Sequence, residues 1–346
     1  MVHVPLRLKL DGAALVANWR WLDARSGAAA CGAAVKADGY GLGAREVVRR
    51  LAEAGCRDFF VATWSEAEAL MPWAEGLGLS VLHGVGPDDL PAAAASPARP
   101  VLNSVELVKR WRESGQRRPC DVMVDTGINR LGLSPAEARS GVLDGLEIET
   151  LMSHLACADE DVPANEGQRR DFAELAAIVP GKRRSLANSA GICLGRDFAF
   201  DLARPGLALY GGIPRGEAKD HIRQVVRVEA QIVQRRRIER GDCVGYNATF
   251  RAEGPHELAI LNLGYADGYL RGFSGKGKAR IGDETAPVIG RVSMDLIAIC
   301  VDAWPELREG DWIEVDYDLP SAAEQSGLSQ YELLTGLGNR FERCWV

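Results

Sequence analysis

The sequence predicts an α/β fold in which a (β/α)8 TIM-like barrel is followed by a mostly β C-terminal domain. From Leu6 to about Gly212, short apolar runs alternate with longer segments that carry helix signals. After Gly216, strand-like runs follow one another through Gly-containing turns. A chain of 346 residues is also longer than one small core usually serves. We therefore expect two domains, a barrel over residues 1–216 and a β domain over residues 217–346.

The first part contains eight strand-like runs, a number that favours a closed barrel over an open doubly wound sheet, although another α/β arrangement stays open. Amphipathic segments at 65–75, 105–114 and 135–142 predict helices between strands, with Ser104 and Ser134 as N-caps. The predicted strands are Cys31–Lys36, Asp58–Thr63, Leu79–Gly84, Arg99–Asn103, Asp121–Asp125, Glu147–His154, Arg184–Asn188 and Asp201–Leu209.

The second part is predicted to contain mainly strands and one short helix, Gln330–Leu337. No long linker precedes it, so we expect the two parts to pack firmly. The predicted strands are Val225–Ile238, Glu257–Leu263, Lys278–Ile281, Val288–Asp302, Asp311–Asp316 and Phe341–Val346.

Composition and charge are those of a globular protein without a nucleic-acid partner. Hydrophobic residues make up 47% and charged residues 26% of the chain, with 41 basic and 48 acidic side chains and a net charge of −7. The eight cysteines include no C-x-x-C pair and no compact cluster near a histidine, which argues against a zinc site or a disulfide framework and favours a reducing compartment. We expect no metal site. Met1–Leu10 alternates like a strand without an apolar signal core, and no segment is long enough to span a membrane. We therefore expect a cytoplasmic protein.

Several chemically unusual residues fall at the ends of the predicted barrel strands. Catalytic residues of such barrels lie at the C-terminal ends of the strands and in the loops beyond them. The convergence on one rim is more informative than any single position. The residues concerned are Lys36, Asp125, Arg130, His154, Asn188, Ser189 and Arg204.

Lys36 ends the apolar run Cys31–Val35 and is followed by a segment that must turn tightly, Ala37–Gly43. A lysine kept dry and near other cations loses its proton more easily, and the neutral amine forms a Schiff base with an aldehyde cofactor such as pyridoxal 5′-phosphate. A solvated lysine at the end of a strand is the alternative interpretation.

Such a cofactor also needs a phosphate site and a partner for its ring nitrogen. Asn188–Gly191 and Gly206–Leu207 offer backbone N–H groups and a hydroxyl, although plain turns are the alternative. If Arg204 meets the ring nitrogen, its guanidinium only donates, so that nitrogen stays unprotonated and is a weaker electron sink. An arginine paired with a carboxylate is the alternative there.

His154 and Tyr265 are the remaining candidates. His154 follows Leu151–Ser153 and is positioned to lie against a cofactor ring, while a satisfied core histidine is the alternative. Tyr265 lies in the strand end and glycine turn Asn262–Tyr269, where a nearby histidine or arginine would make its phenolate accessible for proton exchange with carbon. A structural turn tyrosine is the alternative.

Together these segments resemble the alanine racemase family over nearly the whole chain. Ala34–Gly41 is similar to the family's cofactor-lysine motif, with Lys36 as the Schiff-base residue and Tyr40 near the phosphate. Val124–Gly132 is similar to the segment whose arginine, here Arg130, contacts the cofactor ring oxygen and the substrate carboxylate. The other matches are Ser153–Ala156 for the ring-contacting histidine, Asn188–Gly191 for the phosphate loop, Arg204–Leu207 for the ring-nitrogen arginine and a further phosphate contact, Gly264–Gly268 for the catalytic tyrosine, and Gly290–Asp295 for the substrate-carboxylate loop.

The resemblance implies a racemase that interconverts L-alanine and D-alanine with pyridoxal 5′-phosphate. Lys36 and Tyr265 would act as two bases on opposite faces of the substrate Cα, with Arg130 and Met294 binding substrate. It also implies a head-to-tail homodimer in which Tyr265 and Met294 complete the partner's active site. D-alanine biosynthesis is the expected role, with D-alanine breakdown as the alternative. A broader amino-acid racemase and a decarboxylase on the same fold are alternatives. The implied cofactor contacts are Lys36, Tyr40, Arg130, His154, Asn188, Ser189, Arg204, Gly206 and Leu207.

Three positions depart from the family pattern. Met123 stands where many members have a carbamylated lysine, so Arg130 must be oriented differently. Phe250 replaces the second tyrosine of a Tyr-x-x-Thr-Tyr stretch near the entrance, and Asn339 replaces a tyrosine that some relatives place by the phosphate.

Two rival functions fit less of the sequence. Gly39–Ala44 satisfies the dinucleotide-binding pattern G-x-G-x-x-A, but the next predicted strand ends at Thr63 without the acidic residue that this fold requires. A non-catalytic pyridoxal-phosphate carrier would leave the β domain that bears Tyr265 without a role.

Overall fold

A computed structural model of the chain describes residues 3–346. Met1 and Val2, part of the predicted first strand Met1–Leu10, lie outside the described residues, and the strand itself is Leu6–Leu10. The chain divides into two compact units, Leu15–Arg223 and a second unit that combines the chain up to Ala14 with Gln224–Val346.

The unit Leu15–Arg223 is a (β/α)8 barrel, as the sequence predicted. Seven of its strands form one parallel sheet in chain order, and the first barrel strand is split by Gly32 into two short pieces. The strands are Ala30–Cys31, Ala33–Ala34, Asp58–Val61, Gly78–Val81, Arg99–Leu102, Cys120–Met123, Ile148–Met152, Arg183–Ser185 and Leu202–Ala203.

Backbone hydrogen bonds close the barrel between its last and first strands. Leu202–Ala203 pairs in parallel with Ala30–Cys31, and the Ala34 N–H donates to the Pro205 carbonyl at 2.8 Å. On its other side, the Arg204 N–H donates to the Ala187 carbonyl at 2.8 Å. Closure therefore brings the carboxyl ends of all the strands to one rim.

Buried side chains fill the barrel. Apolar side chains from five different strands pack into one cluster, so the barrel encloses a packed core rather than a channel. The members of the cluster are Phe60, Val101, Met123, Met152 and Leu202.

Helices follow most of the strands. Ser104 and Ser134 are N-caps as predicted, because their hydroxyls accept from the N–H groups of Leu107 and Glu137. The α-helices are Gly12–Ser26, Ala44–Ala54, Trp64–Leu70, Leu90–Ala95, Val105–Glu113, Pro135–Arg139, Pro163–Ala176 and Ser189–Leu194. Among residues 3–346, no helix combines the length and the apolar character that crossing a bilayer requires.

The second unit is mostly β, also as predicted. One sheet contains eight of its strands, and the long strand Val226–Ile238 pairs at one end with Leu6–Leu10 and at the other with His256–Leu261. The strands are Leu6–Leu10, Val226–Ile238, Cys243–Val244, Phe250–Arg251, His256–Leu261, Lys278–Ile281, Glu284–Ile289, Ile297–Cys300, Trp312–Val315 and Glu342–Trp345, and the helices are Leu319–Ser326 and Gln330–Thr335.

Several details differ from the sequence prediction. The second unit has two helices where one was predicted, because Leu319–Ser326 is also helical, with the Asp318 carboxylate accepting from the Ser321 N–H at its start. The predicted strand Val288–Asp302 is two strands, because the Ser293 N–H bonds the Leu296 carbonyl at 3.0 Å and turns the chain between them. The eighth barrel strand ends at Ala203 and not at Leu209, since Pro205 has no N–H to continue the ladder. The strand Leu6–Leu10 pairs with strands of the second unit, while the domain division at residue 216 stays a prediction.

Candidate active site

Lys36 begins a short turn at the end of the first barrel strand. The turn Lys36–Tyr40 passes through left-handed backbone conformations, with φ of 53° at Ala37 and 56° at Tyr40. The Ala37 N–H donates to a carboxylate oxygen of Glu66 at 2.7 Å, and the second oxygen of Glu66 accepts from the Ala62 N–H at 2.7 Å. This one carboxylate therefore ties the turn that carries Lys36 to the end of the neighbouring strand.

The environment of Lys36 favours the neutral amine. Burial of the side chain lowers the pKa of the Lys36 ammonium below its ordinary value, and the nearby guanidinium of Arg130 lowers it further. Glu66 opposes the shift, and Arg204 adds to it. An amine with this depressed pKa is a better nucleophile and a better base at neutral pH, which supports the functional interpretation over that of a solvated strand-end lysine.

Arg204 is buried and has no carboxylate partner among the described residues. Its two terminal nitrogens donate to the Ser153 carbonyl, at 2.6 Å, and to the Ser185 hydroxyl. Burial lowers the pKa of Arg204 to about 10, so the group still carries its charge at pH 7. The alternative interpretation of Arg204, a carboxylate-paired arginine, is therefore wrong.

His154 is neutral at physiological pH. Burial, together with the positive charges of Arg204, Arg130 and Lys36, lowers the pKa of its imidazole to about 3. The amide of Gln168 fixes the local backbone, because its nitrogen donates to the His154 carbonyl at 3.1 Å and its oxygen accepts from the Ala156 N–H at 2.9 Å. The side chains of these four residues thus lie close enough to interact electrostatically, and an anionic ligand would offset the charges of the lysine and the two arginines.

Arg130 lies in a loop that is shaped by Asp125. The Asp125 carboxylate accepts from the N–H groups of Gly127, at 2.7 Å, and of Arg130, at 3.1 Å. The Arg130 guanidinium itself forms no hydrogen bond or ion pair within residues 3–346, and Met123 lies buried in the barrel core. Met123 therefore gives Arg130 no polar support, as expected of a methionine at this position.

Backbone and hydroxyl groups near Tyr40 form a pocket suited to an anion. Asn188 caps the helix Ser189–Leu194, and the Ser189 hydroxyl accepts from the N–H groups of Gly206, at 3.0 Å, and Ala208, at 3.2 Å. Within residues 3–346, the N–H groups of Ser189 and Leu207 have no acceptor. Such free N–H groups at a helix start are typical of a phosphate site.

Gly206 is required by the position of Tyr40. A Cβ atom at residue 206 would lie 2.1 Å from the Tyr40 hydroxyl oxygen, a distance that no side chain tolerates. The Tyr40 ring stacks on Tyr210 with centroids 4.6 Å apart, and the Tyr210 hydroxyl donates to the Ala34 carbonyl at 2.8 Å. The barrel unit therefore brings together every predicted site residue that it contains.

Tyr265 and Met294, the predicted site residues of the second unit, lie on two joined loops. The Tyr265 N–H donates to the Ser293 carbonyl at 3.0 Å, and the Ala266 N–H donates to the Met294 carbonyl at 3.0 Å. Met294 is 53% exposed, and the guanidinium carbon of Arg271 lies 5.2 Å from the centroid of the Tyr265 ring. A cation is therefore held over the ring of the candidate base.

Arg340 ties these two loops together. Two of its nitrogens donate to the fully buried carboxylate of Asp267, at 2.6 and 2.7 Å, and the third donates to Asp295 at 2.7 Å. The buried Asp267 also accepts from the Gly264 N–H at 2.9 Å. Arg340 thus supports the loop of Tyr265 from a position 75 residues further along the chain.

The sequence analysis missed several supporting residues: Glu66, Ser153, Gln168, Ser185 and Arg340. Only Glu66 carried a local signal, because Thr63 and Glu66 form the capping box of the helix Trp64–Leu70. The other four residues either contact partners that are distant in sequence or act through backbone groups. Neither kind of contact leaves a motif in the sequence.

Comparisons with known proteins agree on one family. Residues 10–214 match the model for the alanine racemase N-terminal domain, and residues 225–345 match the model for the C-terminal domain. The chain is 43% identical to an alanine racemase of Methylobacterium nodulans, over 98% of this chain and 96% of that protein. It is equally identical, at 43%, to a catabolic alanine racemase of Mesorhizobium japonicum, over 98% of this chain and 93% of that protein.

Solved structures give the same result. The crystal structure of alanine racemase from Bartonella henselae with covalently bound pyridoxal phosphate has a TM-score of 0.91 and 35% identity, and covers 99% of this chain and all of that one. The biosynthetic alanine racemase of Pseudomonas aeruginosa has a TM-score of 0.89 and 31% identity, again over 99% of this chain and all of that one.

The Arg340→Ala variant should lose about 2 kcal/mol of unfolding free energy, because the buried charge of Asp267 is then left without its partner. Chemical denaturation measures this loss. Arg340→Lys keeps the positive charge but not the bidentate hydrogen bonding, so its loss of unfolding free energy should be smaller. Combining Arg340→Ala with Asp267→Asn should cost less than the sum of the two changes, and full additivity would show that the pair does not interact.

Proposed function

The chain belongs to the alanine racemase family, and on that premise we propose that it interconverts L-alanine and D-alanine with pyridoxal 5′-phosphate, by a two-base mechanism that uses Lys36 and Tyr265. The observation that carries the proposal is the state of Lys36. Its amine is largely buried near Arg130 and Arg204, and burial together with these positive charges lowers its pKa, which makes the ammonium easier to deprotonate.

The residues of the barrel fit the cofactor. The free N–H groups of Ser189 and Leu207 and the hydroxyl of Tyr40, which Gly206 allows to approach the backbone, would hold its phosphate. Lys36 would hold its aldehyde carbon. Arg204 would face its ring nitrogen, and His154 would lie against its ring. Asn188 would fix the start of the helix Ser189–Leu194, which carries the phosphate site. When bound, pyridoxal phosphate supplies a conjugated ring that acidifies the α-proton of the amino acid.

Three side chains would bind the substrate and transfer its α-proton. Arg130 binds the substrate carboxylate, which supplies the anionic partner that its guanidinium otherwise lacks. The Lys36 amine takes or returns the α-proton on one face of the substrate, and the Tyr265 hydroxyl does so on the other. Proton removal on one face and return on the opposite face inverts the configuration.

Arg204 is proposed to control which reaction follows. Its guanidinium donates hydrogen bonds and accepts none, so it would leave the ring nitrogen unprotonated. With that nitrogen unprotonated, the bound cofactor would supply a weaker withdrawal of charge from the substrate carbon. Lys36 and Tyr265 would then return the proton quickly, which would limit side reactions such as transamination.

We propose a head-to-tail homodimer in which Tyr265 and Met294 serve the partner's active site. The support is the family resemblance and the exposed side chain of Met294 beside the Tyr265 loop. We also place the enzyme in the cytoplasm, since its eight cysteines are all free. Because the two enantiomers have equal free energy, the enzyme makes D-alanine wherever L-alanine is in excess, which is the role in D-alanine biosynthesis that we propose.

Replacing Lys36 by Ala should abolish the conversion of L-alanine to D-alanine and the visible absorption of the bound cofactor, because no other amine occupies that turn. Chiral chromatography and absorption spectra measure both. Lys219→Ala, at an exposed position of the same unit, is the control and should retain both. A Lys36→Ala protein that keeps its colour and activity would contradict the assignment, and carbon dioxide release from wild type without D-alanine would indicate a decarboxylase.

Replacing Tyr265 by Phe should impair proton exchange from one enantiomer about 10²- to 10⁴-fold, the usual contribution of a general base. Exchange from the other enantiomer should persist, because Lys36 is intact. Mass spectrometry of L- and D-alanine incubated separately in D₂O measures the two rates. Equal loss for both enantiomers would argue against one base per face.

Mixing inactive Lys36→Ala and Tyr265→Ala chains should restore activity if Tyr265 serves the partner. Random association makes about half of the dimers mixed, each with one complete site of two, so about a quarter of the wild-type activity is expected. The chains are unfolded and refolded together, with each variant refolded alone as the control. No recovery in a preparation shown to contain mixed dimers would place Tyr265 in the site of its own chain.

A further inference from the structure

Three side chains with metal-binding atoms meet at one corner of the β sheet. Leu258 pairs with Cys300 in the antiparallel ladder. Two residues further along each strand, the same register places His256 opposite Asp302. Alternate residues of a strand share a face, and directly opposed residues of an antiparallel pair point to the same side. The register therefore places His256, Cys300 and Asp302 together, although 44 residues separate the histidine from the cysteine.

The separations of the three donor atoms are close to those of a tetrahedral zinc site. The Cys300 Sγ lies 3.8 Å from Nδ1 of His256 and 3.3 Å from Oδ2 of Asp302, and that nitrogen and oxygen are 2.7 Å apart. Zinc bonds of about 2.0–2.3 Å at tetrahedral angles separate such ligands by about 3.4–3.6 Å. Only the hydrogen-bonded pair of His256 and Asp302 must widen, as it does when a metal replaces the shared proton.

The surroundings hold two of these side chains in place. The second carboxylate oxygen of Asp302 accepts from the Glu257 N–H at 2.6 Å, which fixes the carboxylate plane. The ring of Phe250 meets the His256 ring edge-on, with centroids 6.2 Å apart. Second contacts of this kind orient metal ligands. All three ligands are partly exposed, which leaves room for water as a fourth ligand.

The same geometry excludes a nucleophilic triad. In a Cys-His-Asp triad the two ring nitrogens of the histidine face different partners, one the nucleophile and one the acid. Here a single nitrogen, Nδ1 of His256, lies beside both Cys300 and Asp302. Three donors that converge on one point form a chelate.

We propose that His256, Cys300 and Asp302 bind a divalent zinc ion, which fastens the start of the strand His256–Leu261 to the end of the strand Ile297–Cys300. Binding releases the thiol proton of Cys300 to solvent, while His256 coordinates as a neutral imidazole through Nδ1 and carries its single ring proton on Nε2. The sequence prediction of no metal site rested on spacing along the chain, whereas this cluster is created by strand register. The site does not depend on the proposed racemase function.

Co²⁺ is the probe, because thiolate-bound cobalt gives a near-ultraviolet charge-transfer band and tetrahedral cobalt gives visible bands. Full-length holoenzyme is treated with a chelator, dialysed and titrated with Co²⁺, and difference spectra remove the cofactor absorption. We expect both bands to saturate at one equivalent per chain, and one equivalent of Zn²⁺ to abolish them. Zn²⁺ should also raise the midpoint of thermal unfolding.

The variants identify the ligands. Cys300→Ser should abolish the charge-transfer band, and His256→Gln and Asp302→Asn should weaken Co²⁺ binding at least tenfold. Cys243→Ser, which removes an exposed cysteine of the same unit, is the matched control and should behave as wild type. Absence of the band in folded wild-type protein, or its persistence in Cys300→Ser, would overturn the proposal. If Cys300→Ser does not fold, the other two variants decide in the same way.

Discussion

The site depends on the crowding of positive charge in a buried pocket without a matching carboxylate. Lys36, Arg130 and Arg204 all act on His154, and together with burial they hold its pKa at about 3. Burial, followed by the charge of Arg130, also lowers the pKa of Lys36. A pocket of this kind stabilises ligands that carry a phosphate and a carboxylate, and it makes available the neutral amine that the chemistry requires.

The barrel holds these positive charges in place with uncharged oxygen atoms. Arg204 is anchored by the Ser153 carbonyl and the Ser185 hydroxyl, which hold a guanidinium without neutralising it. Glu66, whose negative charge opposes the lowering of the Lys36 pKa, has both oxygens bonded to backbone N–H groups near two strand ends. Its charge is therefore used to shape the turn while only partly offsetting the cations.

The sequence predicted the architecture and the principal residues because both leave local patterns. Strand and helix periods revealed the barrel, Lys36 ends an apolar run, and Arg204 lies on the predicted eighth strand. Supporting contacts left no such pattern: Arg340 reaches Asp267 across 73 residues, and Gln168 acts through backbone groups of the neighbouring strand end. The cluster at Cys300 was missed for the same reason, since register and not spacing along the chain creates it.

The central claim is that the Nζ of Lys36 holds the cofactor. Borohydride reduction of the freshly purified enzyme, followed by peptide mapping with mass spectrometry, tests it directly against the six other lysines of the chain. The account predicts a pyridoxyl group on the peptide that contains Lys36 and on no other peptide. A pyridoxyl group on a different lysine, or none at all in fully active enzyme, would contradict it.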